Sequence, residues 1–212
     1  MKVSVQILDL SSGAFVEAGL FDEVTLEHFV ETQRDWRPMV VEATKSMIRR
    51  GVDPMLQPRH WHWNWENKVP QLEQFGLTFY GIEYAGQLQG LMKVDLAKHA
   101  ARVTTQAGEG LAYIDYLEVA PWNLREITSE LGQNQRFGVV GMNLYAAAVK
   151  LSLEAGFDGR VGLHSLPHPK TEQFYQKTCR MMPLQRDPAK ENLLYLETTP
   201  ELADIFLTEA KR

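Results

Sequence analysis

The chain has 212 residues, 44% hydrophobic and 23% charged, which suits one sizeable core and a globular protein. A net charge of −5 argues against a surface that coats nucleic acid, although a local basic patch stays open. The single cysteine, Cys179, forbids an intrachain disulfide, and there is neither a signal-peptide core nor a run of roughly 18–20 apolar residues. A cytoplasmic protein without a membrane segment is expected.

In chain order, residues 3–10 alternate apolar and polar side chains and read as a strand. Between 24 and 50 the apolar positions recur every three or four residues, interrupted by Pro38, which predicts two helices or one kinked helix ending at Gly51. Residues 77–84 and 88–96 read as a hairpin joined at Ala85-Gly86-Gln87, and 111–119 as a third strand stopped by Pro121. The clearest helix is 139–155, with Val140, Leu144, Ala147, Ala148 and Leu151 on one stripe and Gly156 at its end. A strand at 160–166, a helix at 169–179, a strand at 193–197 and a helix from 200 complete the order. The pattern predicts a mixed α/β (α+β) fold around one central sheet, not a doubly wound dinucleotide fold.

The stretch HWHWNWENK, residues 60–68, invites three readings. Side by side on a strand, His60 and His62 would begin a metal site, but no further ligands are identifiable. On a helix, Trp61 and Trp65 would share a face and wall an acceptor pocket. Plain aromatic packing is the third reading.

The segment with chemical content is YLEVAPWN, a 14-residue excursion over 122–135, then RFGVVGMNLYAAAVKLSLEAGF. A strand ends, and a glycine-containing turn opens into a long helix. Backbone N–H groups and the positive helix end then converge on one spot, with Arg136 beside them, so that a diphosphate is a natural guest. Neither G-x-G-x-x-G nor the P-loop is present, and on spacing alone Gly138 and Gly141 serve equally well as turn and cap residues.

These residues resemble the acyl-CoA-binding core of the GCN5-related N-acetyltransferase (GNAT) superfamily. There, a strand ending in Leu-x-Val-x-Pro precedes Q/R-x-x-G-x-G/A at the start of a helix. Here Leu117-Glu-Val119-Ala-Pro121 is followed by Arg136-Phe-Gly138-Val139-Val140-Gly141, and Phe174-Tyr175-Gln-Lys177 resembles a later segment of the family. The likeness covers about 77–196. It departs at Val139, which stands where the motif has its first glycine, with Gly138 one place early, and at the long excursion, which suggests an added loop.

The resemblance implies a single GNAT domain: an N-terminal strand and helices (1–76), an acyl-CoA-binding core (77–198) and a C-terminal helix (199–212). It implies acetyl transfer from acetyl-CoA, without a metal, to an amine of a small molecule or peptide; dimers are common in the family. A toxin-like modifier of aminoacyl-tRNA or protein, and a non-catalytic acyl-CoA-binding module, are the alternatives. Amides of Val139, Val140, Gly141 and Met142 would hold the pyrophosphate with Arg136 alongside and Gly138 allowing close approach. Backbone groups of Leu117 and Val119 would pair with the pantetheine arm. Tyr175 would protonate the departing thiolate, and Asp115 would be the base, with Tyr113 relaying through water. Glu118, on the opposite strand face, is the weaker choice of base. Trp61, Trp65 and Tyr113 would border the acceptor. Cys179 lacks a nearby base for a covalent role, and His164-Ser165 lacks a nucleophile elbow.

Overall fold

A computed structural model describes residues 2–210. Nine strands form a mostly antiparallel sheet flanked by helices, in the order β6-β1-β2-β3-β4-β5-β7-β9-β8. The mixed fold expected from the sequence is what the chain adopts. Among the described residues, no helix is long and apolar enough to cross a membrane.

The chain opens with a hairpin, β1 (Lys2–Asp9) and β2 (Ala14–Phe21), paired in register from Lys2↔Phe21 to Asp9↔Ala14. Asp9 shapes the turn by accepting from the amide of Ser11 at 2.9 Å. The sequence pattern predicts only the first strand, with helices directly after it. In β2, Ala18, Leu20 and Phe21 are all buried, so both faces carry apolar residues and the period-two signal is blurred.

Helix α1 (Leu26–Glu31) runs through a five-residue π-turn, Thr32–Trp36, into α2 (Arg37–Arg49). Pro38, expected to divide or kink the helix, is the second residue of α2, just after the π-turn, so the helix passes it without ending. The π-turn, not the proline, marks the junction. Strands β3 (Leu77–Tyr84) and β4 (Gln87–Asp95) are joined by Ala85 and Gly86, both at positive φ (51° and 72°), the conformation of a two-residue mirror-type turn.

Strand β5 (Ala112–Val119) leads to the excursion, which is not a simple loop. It folds as helix α3 (Arg125–Glu130). Ile127 of α3 is buried against Val40 and Ala43 of α2. Glu130 pins the other end, accepting from Ser46 Oγ at 2.6 Å and from Arg50 at 2.7 Å. A two-residue strand β6 (Phe137–Gly138) and helix α4 (Val140–Glu154) follow. Then come β7 (Val161–Ser165), α5 (Pro169–Gln173) with a π-turn over Phe174–Thr178, β8 (Met182–Asp187), β9 (Leu193–Glu197) and α6 (Pro200–Glu209). Strand β8 is absent from the expected order; it is mostly exposed, so it lacks an apolar stripe. Residues 211–212 of the expected C-terminal helix lie outside the described residues.

The chain divides into two compact units, Met1–Met92 with Leu117–Leu144, and Lys93–Tyr116 with Tyr145–Arg212. The first holds the β1–β2 hairpin, β3, α1 to α3 and the start of α4. In the second, β5 and β7 run parallel over Ala112↔Val161 to Ile114↔Leu163, and β7, β9 and β8 are antiparallel neighbours. A buried Glu197 organises that unit, accepting from the amides of Arg102 and Val103 and from Gln106 Nε2. A charge so buried is tolerated because its lone pairs are filled.

Candidate acyl-CoA site and acceptor cleft

Two features of the first unit stand side by side. The first is the turn into α4. Gly138 is spoken for by β6, pairing with Leu8, and a Cβ there would meet Leu8 at an ordinary 3.5 Å. Neither its conformation nor the protein around it requires glycine. The left-handed residue is Val139, at φ 59°. A β-branched side chain rarely occupies that region, and holding it there costs of order 1–3 kcal/mol.

Val139 stands at the first motif glycine, which explains the glycine preference at this place. Directly after it, the amides of Val140, Gly141 and Met142 belong to the first turn of α4, where N–H groups have no intrahelical acceptor. A left-handed residue followed by helical ones turns successive N–H groups toward one point, an anion-binding concavity. Arg136 is held beside this turn, with its guanidinium 5.2 Å from the Trp122 ring and 3.3 Å from Gln87 Oε1. Val139→Gly should therefore raise stability by about 1 kcal/mol after allowing for the looser unfolded chain. For a protein of this size, calorimetry should read that as a rise in Tm of about 2–4 °C; a fall would show that the valine is not strained.

The second feature is a small cleft. Trp36, Trp61, Trp63 and Trp65 wall it, and Arg37 and Glu118 supply its charges. The space left is about 10 Å³, the scale at which a cavity holds one water-sized group. Glu118 is 9% exposed, and Trp65 Nε1–H donates to its Oε2 at 2.5 Å. Burial pushes its carboxyl up from an ordinary 4.5 to about 7, against the Trp65 hydrogen bond and the nearby Lys68 and Arg37 charges. His60 Nε2 lies 3.9 Å from Glu118 Oε1.

Gly90 links the two features. A Cβ on it would lie 3.0 Å from Val140 Cγ1 and Leu144 Cδ1, and 3.4 Å from the carbonyl oxygen of Glu118. A side chain there would make Val140 and Leu144 give way by a few tenths of an ångström, so glycine eases the seating of the first turn of α4 on β4 beside Glu118. Leu117 and Val119, the expected pantetheine partners, flank Glu118 on β5 and are half-buried. The pairing of β5 with β7 ends at Ile114, before either of them.

Several expected residues have other partners. Trp61 and Trp65 do not share a helical face: residues 60–65 turn instead, with Asn64 Oδ1 taking the amide of Glu66 at 2.8 Å. Such local side-chain bonds compete with a helix. Trp61 is 48% exposed and Trp65 fully buried, yet both line the cleft. His60 and His62 are not paired: His62 rests edge-on against Trp61, while His60 faces Trp63.

Asp115 belongs to the second unit and is bound by Lys93 Nζ at 2.6 Å, so an ion pair occupies the carboxylate expected to be the base. Lys93 is 8% exposed and Asp115 25%. Asp115→Asn would strand a buried ammonium, and urea titration should show a loss of about 2 kcal/mol, less than for a fully buried pair because water reaches Asp115.

Tyr113, expected as a relay, is also in the second unit. Its hydroxyl lies 2.6 Å from His164 Nδ1, and His164 Nε2 lies 3.0 Å from Asp187 Oδ2. Since Asp187 can only accept, His164 carries its proton on Nε2, and Tyr113 donates to Nδ1. Burial lowers the His164 pKa and keeps the ring neutral, while hydrogen bonds from Arg102 and His164 hold Asp187 down at about 2. His99 stacks on the Tyr113 ring at 3.7 Å. Tyr113 is thus a fixed member of this network and not a residue of the cleft.

Tyr175, in the π-turn after α5, is buried, and desolvation followed by the Cys179 charge raises its pKa. Single-turn π insertions gather at functional positions. Burial also raises the Cys179 thiol well above its usual value, which denies it a nucleophilic role.

No family model matches the sequence, and no curated protein is similar to it in sequence. Solved structures do match. One is an N-acetyltransferase, PaiA, of Thermoplasma acidophilum in complex with coenzyme A, with 13% identity, 87% of this chain and 99% of that chain covered, and a TM-score of 0.55. The chain has the GNAT fold. An uncharacterized protein of Bacillus halodurans matches over 99% of this chain and 96% of its own, at 12% identity and a TM-score of 0.58. At such identities the likeness establishes the GNAT fold, not the acceptor or the rate of any reaction.

Three residues of the cleft are not singled out by sequence pattern: Trp36, Arg37 and, as a principal, Glu118. A signal exists for the first. Trp36 extends the stripe of Val40, Ala43 and Met47 back by one turn. For Glu118 there is none, because its burial depends on Trp65, 53 residues away.

Proposed function

We propose that the protein is an N-acetyltransferase that uses acetyl-CoA and acts on a primary amine of a small molecule or a peptide. The observation that carries this reading is Gly90, which seats the anion-binding turn of α4 against Glu118 and its cleft. Amides of Val139 to Met142 would hold the pyrophosphate, with Arg136 alongside, and the backbone of Leu117 and Val119 would pair with the pantetheine amides.

Acetyl-CoA supplies an acetyl thioester. Glu118, raised to about 7, is half ionised at neutral pH and suited to remove a proton from an acceptor ammonium. The freed nitrogen forms a C–N bond to the acetyl carbon, and the C–S bond breaks. Tyr175, kept protonated by burial, is assigned the proton that goes to sulfur. We propose Glu118 as the base in preference to Asp115, because Lys93 holds Asp115 in an ion pair.

Calorimetric titration with acetyl-CoA, in parallel with NAD and ATP, tests the reading. Saturable binding is expected for acetyl-CoA alone. Arg136→Ala should weaken it about 5- to 20-fold, the worth of one charge-assisted contact. Absence of binding at millimolar acetyl-CoA would overturn the proposal.

A further inference from the structure

The cleft also constrains the acceptor, and this inference rests on the acetyl-transfer reading above. Trp36 is 1% exposed, and its buried Nε1–H has no hydrogen-bond partner among the described residues. An indole N–H is a donor only, so it needs an oxygen or other acceptor. Buried donors left unmade are rare because they have given up water for nothing. An ammonium cannot serve, because it too only donates.

The cleft offers a second donor in Arg37. Its guanidinium lies 5.9 Å from the Trp61 ring centre and makes one long hydrogen bond, 3.4 Å, to the Trp63 carbonyl. A guanidinium has five N–H groups, so most of its donor capacity is left over. Opposite in character, Glu118 lines the same cleft as the acceptor. The residues that line this one space thus include two donor side chains, Trp36 and Arg37, one carboxylate, and His60 beside that carboxylate. Its complement is a small ligand that carries a hydrogen-bond donor and an acceptor on neighbouring groups.

We propose that the acceptor is an α-amino carbonyl compound, in which the amine meets Glu118 while the neighbouring carbonyl or carboxylate oxygen accepts from Trp36 Nε1–H and Arg37. The free space of about 10 Å³ matches one such oxygen and leaves no room for a bulky group beside it. A side chain on the α-carbon must therefore face the opening. Free amino acids and the N-terminus of a peptide share this chemistry, and plain alkylamines lack it.

Three probes separate these cases: glycine, glycinamide and ethylamine. The full-length protein is titrated with each while the assigned Trp36 indole N–H resonance is followed, and acetylation of each is measured with acetyl-CoA. Glycinamide or glycine should move the resonance downfield, and ethylamine should not. Their kcat/KM should exceed that of ethylamine by at least about tenfold, the discrimination expected when a buried donor is left unpaired, and Trp36→Phe should collapse that ratio. Preference for glycine would indicate a free amino acid, and preference for glycinamide a chain terminus. An unmoved resonance at high millimolar probe, or equal use of ethylamine, would overturn the inference and leave a water as the partner of Trp36. A shifted resonance without acetylation would keep the cleft assignment and remove the transferase reading. Acetylation of all three probes at similar rates, with the resonance unmoved by glycine and glycinamide, would do the reverse.

Discussion

Glu118→Gln should abolish most turnover while making the protein more stable at alkaline pH. As the base, Glu118 is worth about 10²–10⁴ in rate, the usual contribution of general base catalysis. The rate of the unaltered enzyme, as kcat/KM, should rise with pH through a midpoint near 7, where the carboxyl ionises. The Gln variant should lack that limb.

Stability moves the other way. The folded protein holds the Glu118 proton up to about 7, whereas the unfolded chain releases it near 4.5. Between those values the folded state binds more protons, so stability falls as pH rises, and the loss is complete above 7. A shift from 4.5 to about 7 corresponds to about 3 kcal/mol. Glutamine keeps an oxygen for Trp65 Nε1–H without the buried charge. Urea unfolding should therefore show a gain of about 2–3 kcal/mol at pH 8 that vanishes near pH 4.5. A Gln variant with near-normal turnover would move the base elsewhere. A variant no more stable at pH 8 would mean that water reaches the carboxylate.

Tyr175→Phe carries the second large effect. Loss of a general acid should lower kcat by about 10²-fold or more and leave acetyl-CoA binding within about twofold, since only the transition state needs the proton. Rescue is informative here. An acyl donor whose leaving thiolate has a lower pKa needs no proton and should react with wild type and variant at similar rates. If the deficit persists with such a donor, Tyr175 serves packing around Cys179 and Tyr145, with which it interacts electrostatically, and not proton transfer.

Much of the first unit's anion-binding turn is legible in the amino-acid sequence. A strand ending in Leu-x-Val-x-Pro and a helix opened by Arg-Phe-Gly-Val-Val-Gly are local patterns, set by backbone preferences within a few residues. The same locality explains the β3–β4 hairpin, whose turn needs two left-handed residues, and α4, whose stripe is continuous. Even the departure at Val139 is visible as a valine in place of glycine. What the letters do not reveal is that the chain keeps the left-handed conformation there and bears the strain.

The corrected residues share one cause. Asp115 and Glu118 look alike on a strand, two carboxylates three positions apart. Lys93 neutralises the first at 2.6 Å, and Trp65 and the cleft desolvate the second. Which carboxylate is held in an ion pair and which is buried and pushed to about 7 depends on neighbours brought in from 22 and 53 residues away. Likewise, the tryptophan run has a spacing compatible with a helix, yet it forms turns where Asn64 caps the following segment.

By itself, then, the sequence determined the mixed sheet, its principal helices and the turn into α4, because each follows from short-range backbone and side-chain periodicity. The tertiary structure alone decided the burial of Glu118, the cleft around it and the surroundings of the Trp36 N–H. Desolvation and hydrogen-bond satisfaction are sums over neighbours in space, and no stretch of the chain carries those neighbours beside it.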